Sequence, residues 1–434
     1  MGSFTQALAD FAVSKLCVPD AAATVIRLSA LDWLAVGRAG SDEDVSRVIR
    51  DYAREAGGAE HASIFGAQRP VPDRLAALAN GTISHALDYD DTHFGHIGHP
   101  SVAIFPVAMA LAERHDLSMD EMLDAALVGA EVSIRVGQWL GRSHYQAGFH
   151  QTATAGTFGA AVTAGRLLGL TARQMAQVIG LAATSASGLK AQFGTMGKPF
   201  NAGQAAASGL EVARLVAQGF DSDPNALEGP FGYGATHHGE ADQAEATDGM
   251  GDLWQFEDVQ HKFHACCHGL HAALEAAARL DLTAPDITRI EVRTHPRWMS
   301  VCNQAAPSTG LGAKFSYTTV IAMKAAGLDT GTPGSFSDAL CARADIGAVR
   351  SRVVVTEDPL LGELEAHVTL TRAGGAVEHA THDLNAALPL SARITEVRKK
   401  ARALLGEETE RTAWSLLHGT GGVGDIAALM RQPV

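Results

Sequence analysis

The chain has 434 residues, of which 46% are hydrophobic and 19% charged, and its formal net charge is −14. This length predicts two or three domains with a sizeable core. The negative charge excludes nucleic acid and anionic membranes as partners, because both select clustered lysine and arginine. The five cysteines show no framework of paired spacings, which favours a reducing compartment.

The first residues of the chain carry neither the charged nor the apolar region of a signal peptide. No apolar run approaches the roughly 18 residues that predict a membrane span. We therefore expect a soluble protein of the cytoplasm.

Alanine-rich helical periodicity runs from the N-terminus to about residue 220. Capping-box patterns predict helix starts at Ser118, which is followed by Glu121, and at Thr171, which is followed by Gln174. Three stretches are apolar on nearly all sides and predict interior helices: 102–114, 122–140 and 157–168.

The pattern changes after residue 220. The segment 221–252 is rich in glycine and acidic residues and predicts an irregular connection. Beyond it, alternating and β-branched runs predict strands, the last two as a hairpin: 287–294, 352–357, 365–371 and 377–381. Helices are predicted at 269–280, 317–326, 394–405 and 413–417. A smaller α+β domain therefore follows the helical part.

The stretch 86–101 concentrates side chains that carry chemistry. Its acids and histidines, within the span from Asp88 to His99, are Asp88, Asp90, Asp91, His93, His96 and His99. A metal site, a structural loop and acid/base chemistry are the three interpretations. The glycines and the proline of this stretch prevent one helix from aligning the histidines, and no established metal-ligand spacing is matched. We favour acid/base chemistry.

Two further stretches carry single candidate residues. His150 directly precedes a helix of small residues, where the helix dipole favours a neutral imidazole that serves as base or hydrogen-bond donor; a capping or core histidine is the alternative. Lys198 follows a glycine, but Gln192 and Pro199 stand where a phosphate loop needs glycine and a hydroxyl residue. Lys198 is therefore interpreted as a point charge for a carboxylate, with a solvated loop lysine as the alternative.

The stretch 262–271 contains Lys262, Cys266, Cys267 and several histidines. Adjacent cysteines seldom bind one ion with good geometry, which argues against zinc. A cysteine beside a lysine and histidines can have a lowered pKa and carry a proton. A buried, inert thiol is the alternative for each cysteine.

Taken together, these stretches resemble the MmgE/PrpD family, which contains 2-methylcitrate dehydratase, cis-aconitate decarboxylase and iminodisuccinate epimerase. The resemblance rests on segments along nearly the whole chain: 87–92, 99–101, 148–150, 197–203, 262–264 and 313–316. It implies a mainly α protein, in which residues 1–259 and 394–434 form a large all-helical domain and residues 260–393 a smaller inserted α+β domain. It also implies a homodimer that needs no cofactor or metal and acts on small di- or tricarboxylates.

By motif position, the resemblance assigns active-site roles to Asp88, Thr92, His99, His150, Lys198 and Lys262. Two positions depart from the pattern of the decarboxylases. Cys267 stands where they carry a histidine, and Thr319 stands where they carry a tyrosine, with Tyr317 nearby. These departures argue against decarboxylation of cis-aconitate.

The hypothesis that follows is removal of a proton α to a carboxylate. Either His150 or His99 is the base and Asp88 orients it. Thr92, Lys198, Lys262 and Tyr317 are the predicted substrate-binding residues, and Cys267 is a second proton carrier. A lyase of the dehydratase type, or a related decarboxylase, is the first expectation. An epimerase of a dicarboxylate such as iminodisuccinate is the second, and a non-catalytic carboxylate-binding helical protein is the third.

Overall fold

The computed structural model describes residues 3–237, 246–386, 388–419 and 421–432. The chain divides into two compact units, Met1–His261 with Val397–Val434, and Lys262–Glu396. The boundaries expected from the sequence lie at 259/260 and 393/394, whereas the units meet at 261/262 and 396/397.

The larger unit is helical, and its elements follow from apolar periodicity broken by glycine, proline and capping residues. Its longer helices are α1 (Phe4–Val13), α2 (Asp20–Ala39), α3 (Asp44–Ala56), α4 (Asp73–Ser84), α5 (Ser101–His115), α6 (Met119–Ala147), α7 (Gln151–Leu167), α8 (Ala172–Ser185) and α9 (Gly197–Ala217). After α9 come the short helix α10 (Tyr233–Thr236) and, from the chain end, α17 (Leu390–Leu405), α18 (Glu407–His418) and α19 (Val423–Arg431). Helix α17 begins in the smaller unit.

Both predicted capping boxes are confirmed. The Ser118 hydroxyl accepts from the Glu121 amide at the start of α6, and Thr171 accepts from Gln174 at the start of α8. The three predicted interior helices correspond to α5, α6 and α7, which are buried along most of their length. Local capping rules and all-round apolarity were therefore sufficient to place these elements.

Small residues bring the interior helices close together. A Cβ added to Gly159 of α7 would lie 2.5 Å from the Gly129 carbonyl oxygen of α6. A Cβ added to Gly203 of α9 would lie 2.2 Å from the Leu78 carbonyl oxygen of α4. Such contacts admit only glycine, so α4, α6, α7 and α9 form a tightly packed scaffold. The ends of α4, α7 and α9 carry the candidate site.

The connection between α9 and the smaller unit is held by a buried arginine. Arg135 of α6, which is paired with Glu131 at 2.7 Å, donates hydrogen bonds to the carbonyl oxygens of Ala246, Asp248 and Leu253. Residues 238–245 of the predicted irregular connection lie outside the described residues.

The smaller unit contains a four-stranded sheet within its described residues. The strands are β1 (Ile287–Thr294), β2 (Val353–Glu357), β3 (Glu365–Arg372) and β4 (Val377–Asp383). Their order is β2-β1-β3-β4, with β2 parallel to β1 and the other pairs antiparallel. The helices are α11 (His271–Ala277), α12 (Pro296–Val301), α13 (Gly310–Ala313), α14 (Tyr317–Ala325), α15 (Asp338–Cys341) and α16 (Ala344–Arg350).

The predicted fold class is confirmed: the chain is mainly α with a small α+β part. Among the described residues, no helix combines the length and apolarity that crossing a bilayer requires.

Candidate active site

The centre of the candidate site is a carboxylate between two histidines. Asp90 Oδ1 lies 2.9 Å from His85 Nδ1, and Asp90 Oδ2 lies 2.8 Å from His99 Nδ1. His85 and Asp90 are each 1% exposed. Burial alone raises the pKa of Asp90, but the charges and hydrogen bonds of both histidines hold it well below its usual value. Asp90 is therefore an anion that fixes the orientation of both rings.

A second carboxylate continues this arrangement toward solvent. Asp88 Oδ1 lies 3.5 Å from His99 Nε2, and Asp88 Oδ2 lies 2.7 Å from the Lys198 ammonium. The Asp88 side chain is 34% exposed, against 17% for Lys198 and 12% for His99. These three side chains are the more exposed end of a continuous series of side-chain contacts that begins at His85.

The backbone at Asp88 is left-handed, with φ of 51°. Aspartate adopts this conformation more readily than most residues, at an energetic cost that persists only where the surroundings impose it. The conformation occurs where the chain turns out of α4, between His85 and Asp90. It explains how two aspartates only two residues apart contact opposite nitrogens of the same His99 ring.

His150 directly precedes α7, where the sequence predicted it, and is 2% exposed. Asn201 Nδ2 lies 3.1 Å from His150 Nδ1 and 3.3 Å from the Leu189 carbonyl oxygen. Because only the NH₂ group can donate to that carbonyl, the amide orientation is fixed and His150 Nδ1 is an acceptor. Burial, aided by the charges of His85 and Lys198, lowers the pKa of His150 well below its usual value. A neutral His150 then carries its proton on Nε2 and is a hydrogen-bond donor there.

The remaining acid and histidines of the 86–101 stretch lie apart from this group. Asp91 accepts hydrogen bonds from Ser29 and Ser101, and burial raises its pKa to about 7. His93 lies 3.0 Å from the Gln255 carbonyl oxygen. Burial lowers the pKa of His93 to about 4 and that of His96 to about 3, so both are neutral. These residues shape the loop, whereas Asp90 belongs to the central cluster.

The side chains that could hold a metal ion differ from the acids and histidines of the 86–101 stretch that the sequence suggested as metal ligands. His85, Asp88, Asp90 and His99 each place one donor atom within 4.8 Å of the others. These nitrogen and oxygen donors suit zinc or another divalent ion. An ion there would compete with the Lys198 ammonium for Asp88.

Thr92 is buried beside this group. Its amide donates to the Gln260 carbonyl oxygen at 2.8 Å and its carbonyl accepts from the Gln260 amide at 2.7 Å. Its hydroxyl lies 3.5 Å from the same Gln260 oxygen, at the outer limit of a hydrogen bond.

The other predicted site residues belong to the smaller unit. Lys262 is 2% exposed, and Cys267 is partly exposed with its sulfur 3.0 Å from that of Cys302. The Tyr317 hydroxyl donates to the Gly269 carbonyl oxygen at 2.7 Å and lies 2.9 Å from the Thr294 hydroxyl. The substrate contact expected of Tyr317 stays a prediction, and in this arrangement its hydroxyl proton is donated within the unit.

Sequence reasoning missed His85 and Asn201. His85 stands three residues before Asp88, just outside the stretch that drew attention. Asn201 stands three residues after Lys198, a spacing that places both on one face of α9. Each signal was present, but a lone histidine at a helix end and an asparagine in a helix are common without function.

The larger unit thus brings together the kinds of group that acid/base chemistry uses: a buried carboxylate in contact with a histidine, beside a lysine. Comparison with family models identifies the family of the chain. Residues 6–246 match the MmgE/PrpD N-terminal domain and residues 264–414 the MmgE/PrpD C-terminal domain. The chain belongs to the MmgE/PrpD family, as the sequence motifs implied.

Curated relatives include cis-aconitate decarboxylases. A cis-aconitate decarboxylase-like protein of Aspergillus oryzae is 30% identical over 66% of this chain and 63% of its own length. The human cis-aconitate decarboxylase is 30% identical over 47% of this chain and 44% of its own length. The Aspergillus terreus enzyme is 30% identical over 52% and 49%, respectively. The chain therefore spans between about half and two thirds of these relatives.

Proposed function

We propose that the protein is a lyase that removes a proton α to a carboxylate of a small di- or tricarboxylic acid. The observation that carries this proposal is the contact of Asp90 with His85 and His99, next to the ion pair of Asp88 and Lys198. Family membership and the decarboxylase relatives support a lyase-type enzyme.

His99 is the proposed base. Its Nδ1 lies 2.8 Å from the ionised Asp90 carboxylate, which places the single ring proton of a neutral His99 on Nδ1 and leaves the Nε2 lone pair on the side that solvent reaches. When Nε2 takes the α-proton, the carboxylates of Asp90 and Asp88 stabilise the imidazolium. Of the two bases that the sequence left open, the hydrogen-bond pattern favours His99, because His150 presents an N–H in place of a lone pair.

The Lys198 ammonium has three N–H donors and uses one on Asp88. We propose that the others bind a substrate carboxylate and stabilise the enolate-like charge that follows proton removal. Thr92 and the Nε2–H of His150 are proposed donors to the same substrate. For dehydration, the imidazolium of His99 returns its proton to the leaving hydroxyl, so that water departs as the carbon–carbon double bond forms.

For the smaller unit we keep two assignments as proposals from the family resemblance. Lys262 is a second ammonium for substrate carboxylates, and Cys267 is a second proton carrier. We further propose that the enzyme acts as a homodimer.

Substitution of Lys262 by Met should raise KM for a tricarboxylate more than it changes kcat.

The test is incubation of the protein with hydroxy-di- and tricarboxylates, cis-aconitate and iminodisuccinate in deuterated water, followed by NMR. We expect α-deuterium incorporation together with loss of water from a hydroxy acid. His99→Gln should abolish both signals, while His115→Gln, at an exposed histidine of α5, should retain them.

The same spectra distinguish the alternatives. Incorporation without elimination overturns the lyase proposal and leaves an epimerase, and release of CO₂ from cis-aconitate identifies a decarboxylase. Binding of these acids with no exchange in any of them supports the non-catalytic binder.

A further inference from the structure

Three cysteines of the smaller unit lie close together. The thiol of Cys302 donates to the sulfur of Cys267, with the two sulfurs 3.0 Å apart. Cys266 is adjacent to Cys267 in sequence and is buried. None of the three is in a disulfide. The cluster therefore holds two thiols at a distance that a small movement would turn into a bond.

Backbone hydrogen bonds hold the two segments that carry these cysteines. The Cys267 amide donates to the Lys314 carbonyl oxygen at 2.9 Å, and the Gln304 amide donates to the Phe315 carbonyl oxygen at 3.0 Å. The segments that carry Cys267 and Cys302 are thus bound to neighbouring residues of the turn between α13 and α14. A disulfide requires the sulfurs to approach to about 2.05 Å, roughly 1 Å closer than they stand. Rotation of the side chains can supply much of this without separating the segments.

Exposure gives the two thiols different roles. Cys267 is partly exposed, whereas Cys302 is 0% exposed. Cys266 is buried, and burial raises the pKa of its thiol far above the ordinary value, which leaves it unreactive. Donation from Cys302 stabilises a thiolate on Cys267, the form that attacks oxidants. An oxidant from solvent therefore reaches Cys267 first, and Cys302 is placed to attack the oxidised Cys267 sulfur.

We propose that Cys267 and Cys302 form an oxidation site that hydrogen peroxide converts to a reversible intrachain disulfide. The Cys267 thiolate attacks one peroxide oxygen, the O–O bond breaks, and the departing hydroxide takes a proton to become water. The sulfenic acid on Cys267 is then attacked by the Cys302 sulfur, whose proton leaves with the sulfenic hydroxyl as a second water. Two thiols are oxidised by two electrons in total, and one peroxide is reduced to two waters.

The proposal involves the residue assigned above as a proton carrier, but its test is chemical and does not depend on that role. The full-length protein is treated with hydrogen peroxide, blocked with iodoacetamide, and digested with trypsin without reductant. We expect a linked pair of peptides, 263–279 and 298–314, which separates on treatment with dithiothreitol. Cys266→Ala should retain the link, because Cys266 shares the first peptide but not the bond.

Cys302→Ala should lose the link, and its Cys267 should instead oxidise beyond sulfenic acid. The matched control is Cys341→Ala, at another buried cysteine of the smaller unit, whose thiol donates to the Thr309 carbonyl oxygen; its link should match that of wild type. A link that persists in Cys302→Ala, a link through Cys266, or sulfinic acid on Cys267 in the wild-type protein would each overturn the proposal.

An activity measurement separates this proposal from the proposed function. If Cys267 carries a proton in the reaction, peroxide should abolish turnover and dithiothreitol should restore it. A reversible disulfide with unchanged turnover keeps the oxidation site and removes Cys267 from the proposed mechanism.

Discussion

Asp90 and Asp91 are neighbours in the chain and both are buried, yet their surroundings give them opposite ionisation. Asp90 lies between two imidazoles, which hold its pKa well below the usual value against the effect of burial. Asp91 meets only hydroxyl and amide donors, and burial, with Asp32 and Asp90 nearby, raises its pKa to about 7. Sequence alone could not separate them, because the difference comes from residues brought in by α2, α4 and α5.

This contrast gives a matched pair of variants. Asp90→Asn retains the shape of the side chain but removes the charge that orients His99, so we expect kcat to fall about 10³- to 10⁴-fold, as in other enzymes whose histidine loses its carboxylate partner. Asp91→Asn should cost about tenfold or less, since Asp91 is partly protonated near neutral pH. Rates of α-deuterium exchange measure both variants, with circular dichroism to verify folding. Equal losses in the two variants would contradict the role assigned to Asp90.

The tautomer of His150 is a second prediction at this scale. Asn201→Asp replaces a donor by an acceptor, so the His150 proton should move from Nε2 to Nδ1 and leave a lone pair facing the site. We expect kcat to fall at least about 10²-fold with little change in stability. The ¹⁵N chemical shifts of the ring report the tautomer directly. Gln204→Glu, on the same helix, is the control, and an unchanged ring spectrum in Asn201→Asp would refute the assignment.

Among the elements, α17 connects the end of the chain to the candidate site. Its Lys400 ammonium lies 2.6 Å from the Tyr89 carbonyl oxygen and 2.6 Å from Asp32 Oδ1. Lys400 is 5% exposed, and its ammonium also lies 3.9 Å from the centre of the Tyr89 ring. Tyr89 stands between Asp88 and Asp90, so this contact anchors the backbone that presents both carboxylates.

We therefore expect Lys400→Met to affect stability and activity separately. Removal of one partner of a buried ion pair costs about 3–5 kcal/mol of unfolding free energy, because Asp32 is left uncompensated. The double variant Lys400→Met with Asp32→Leu should recover most of this loss, while exchange activity should stay reduced because Tyr89 has lost its anchor. Urea denaturation and deuterium exchange measure the two effects. Lys399→Met, at the exposed neighbour, is the control, and full recovery of activity in the double variant would contradict the anchoring role.

Elements defined by local rules could be predicted closely. The strand expected at 287–294 is β1 with the same bounds, because period-two alternation and flanking turn residues are local signals. The helix expected at 269–280 is shorter and runs from His271 to Ala277. The residues before it form a 3₁₀ turn, whose Gly269 carbonyl oxygen accepts a hydrogen bond from the Tyr317 hydroxyl. The contacts of the candidate site were out of reach, because they join α4, α7 and α9 with the loop that contains Asp88.

Across the whole molecule, buried neutral histidines make stability depend on acidity. His96 is 0% exposed, and neither ring nitrogen has a hydrogen-bond partner. Burial lowers its folded-state pKa from 6.5 to about 3. Between these values the unfolded chain binds a proton that the folded chain does not, so acid favours unfolding. The contribution is absent above about pH 6.5 and grows as pH falls toward 3.

A variant comparison isolates this effect from the other titrating groups. His96→Leu places an apolar side chain against Gly137 and removes the proton site, so the stability of the variant should fall less steeply with acid than that of wild type. Each pH unit between about 6.5 and 3 should shift the difference in unfolding free energy by about 1.4 kcal/mol in favour of the variant. Urea denaturation at a series of pH values measures the difference. His379→Leu, at an exposed histidine of β4, is the control for the substitution itself. A curve for His96→Leu that is parallel to wild type would mean that His96 is protonated in the folded protein.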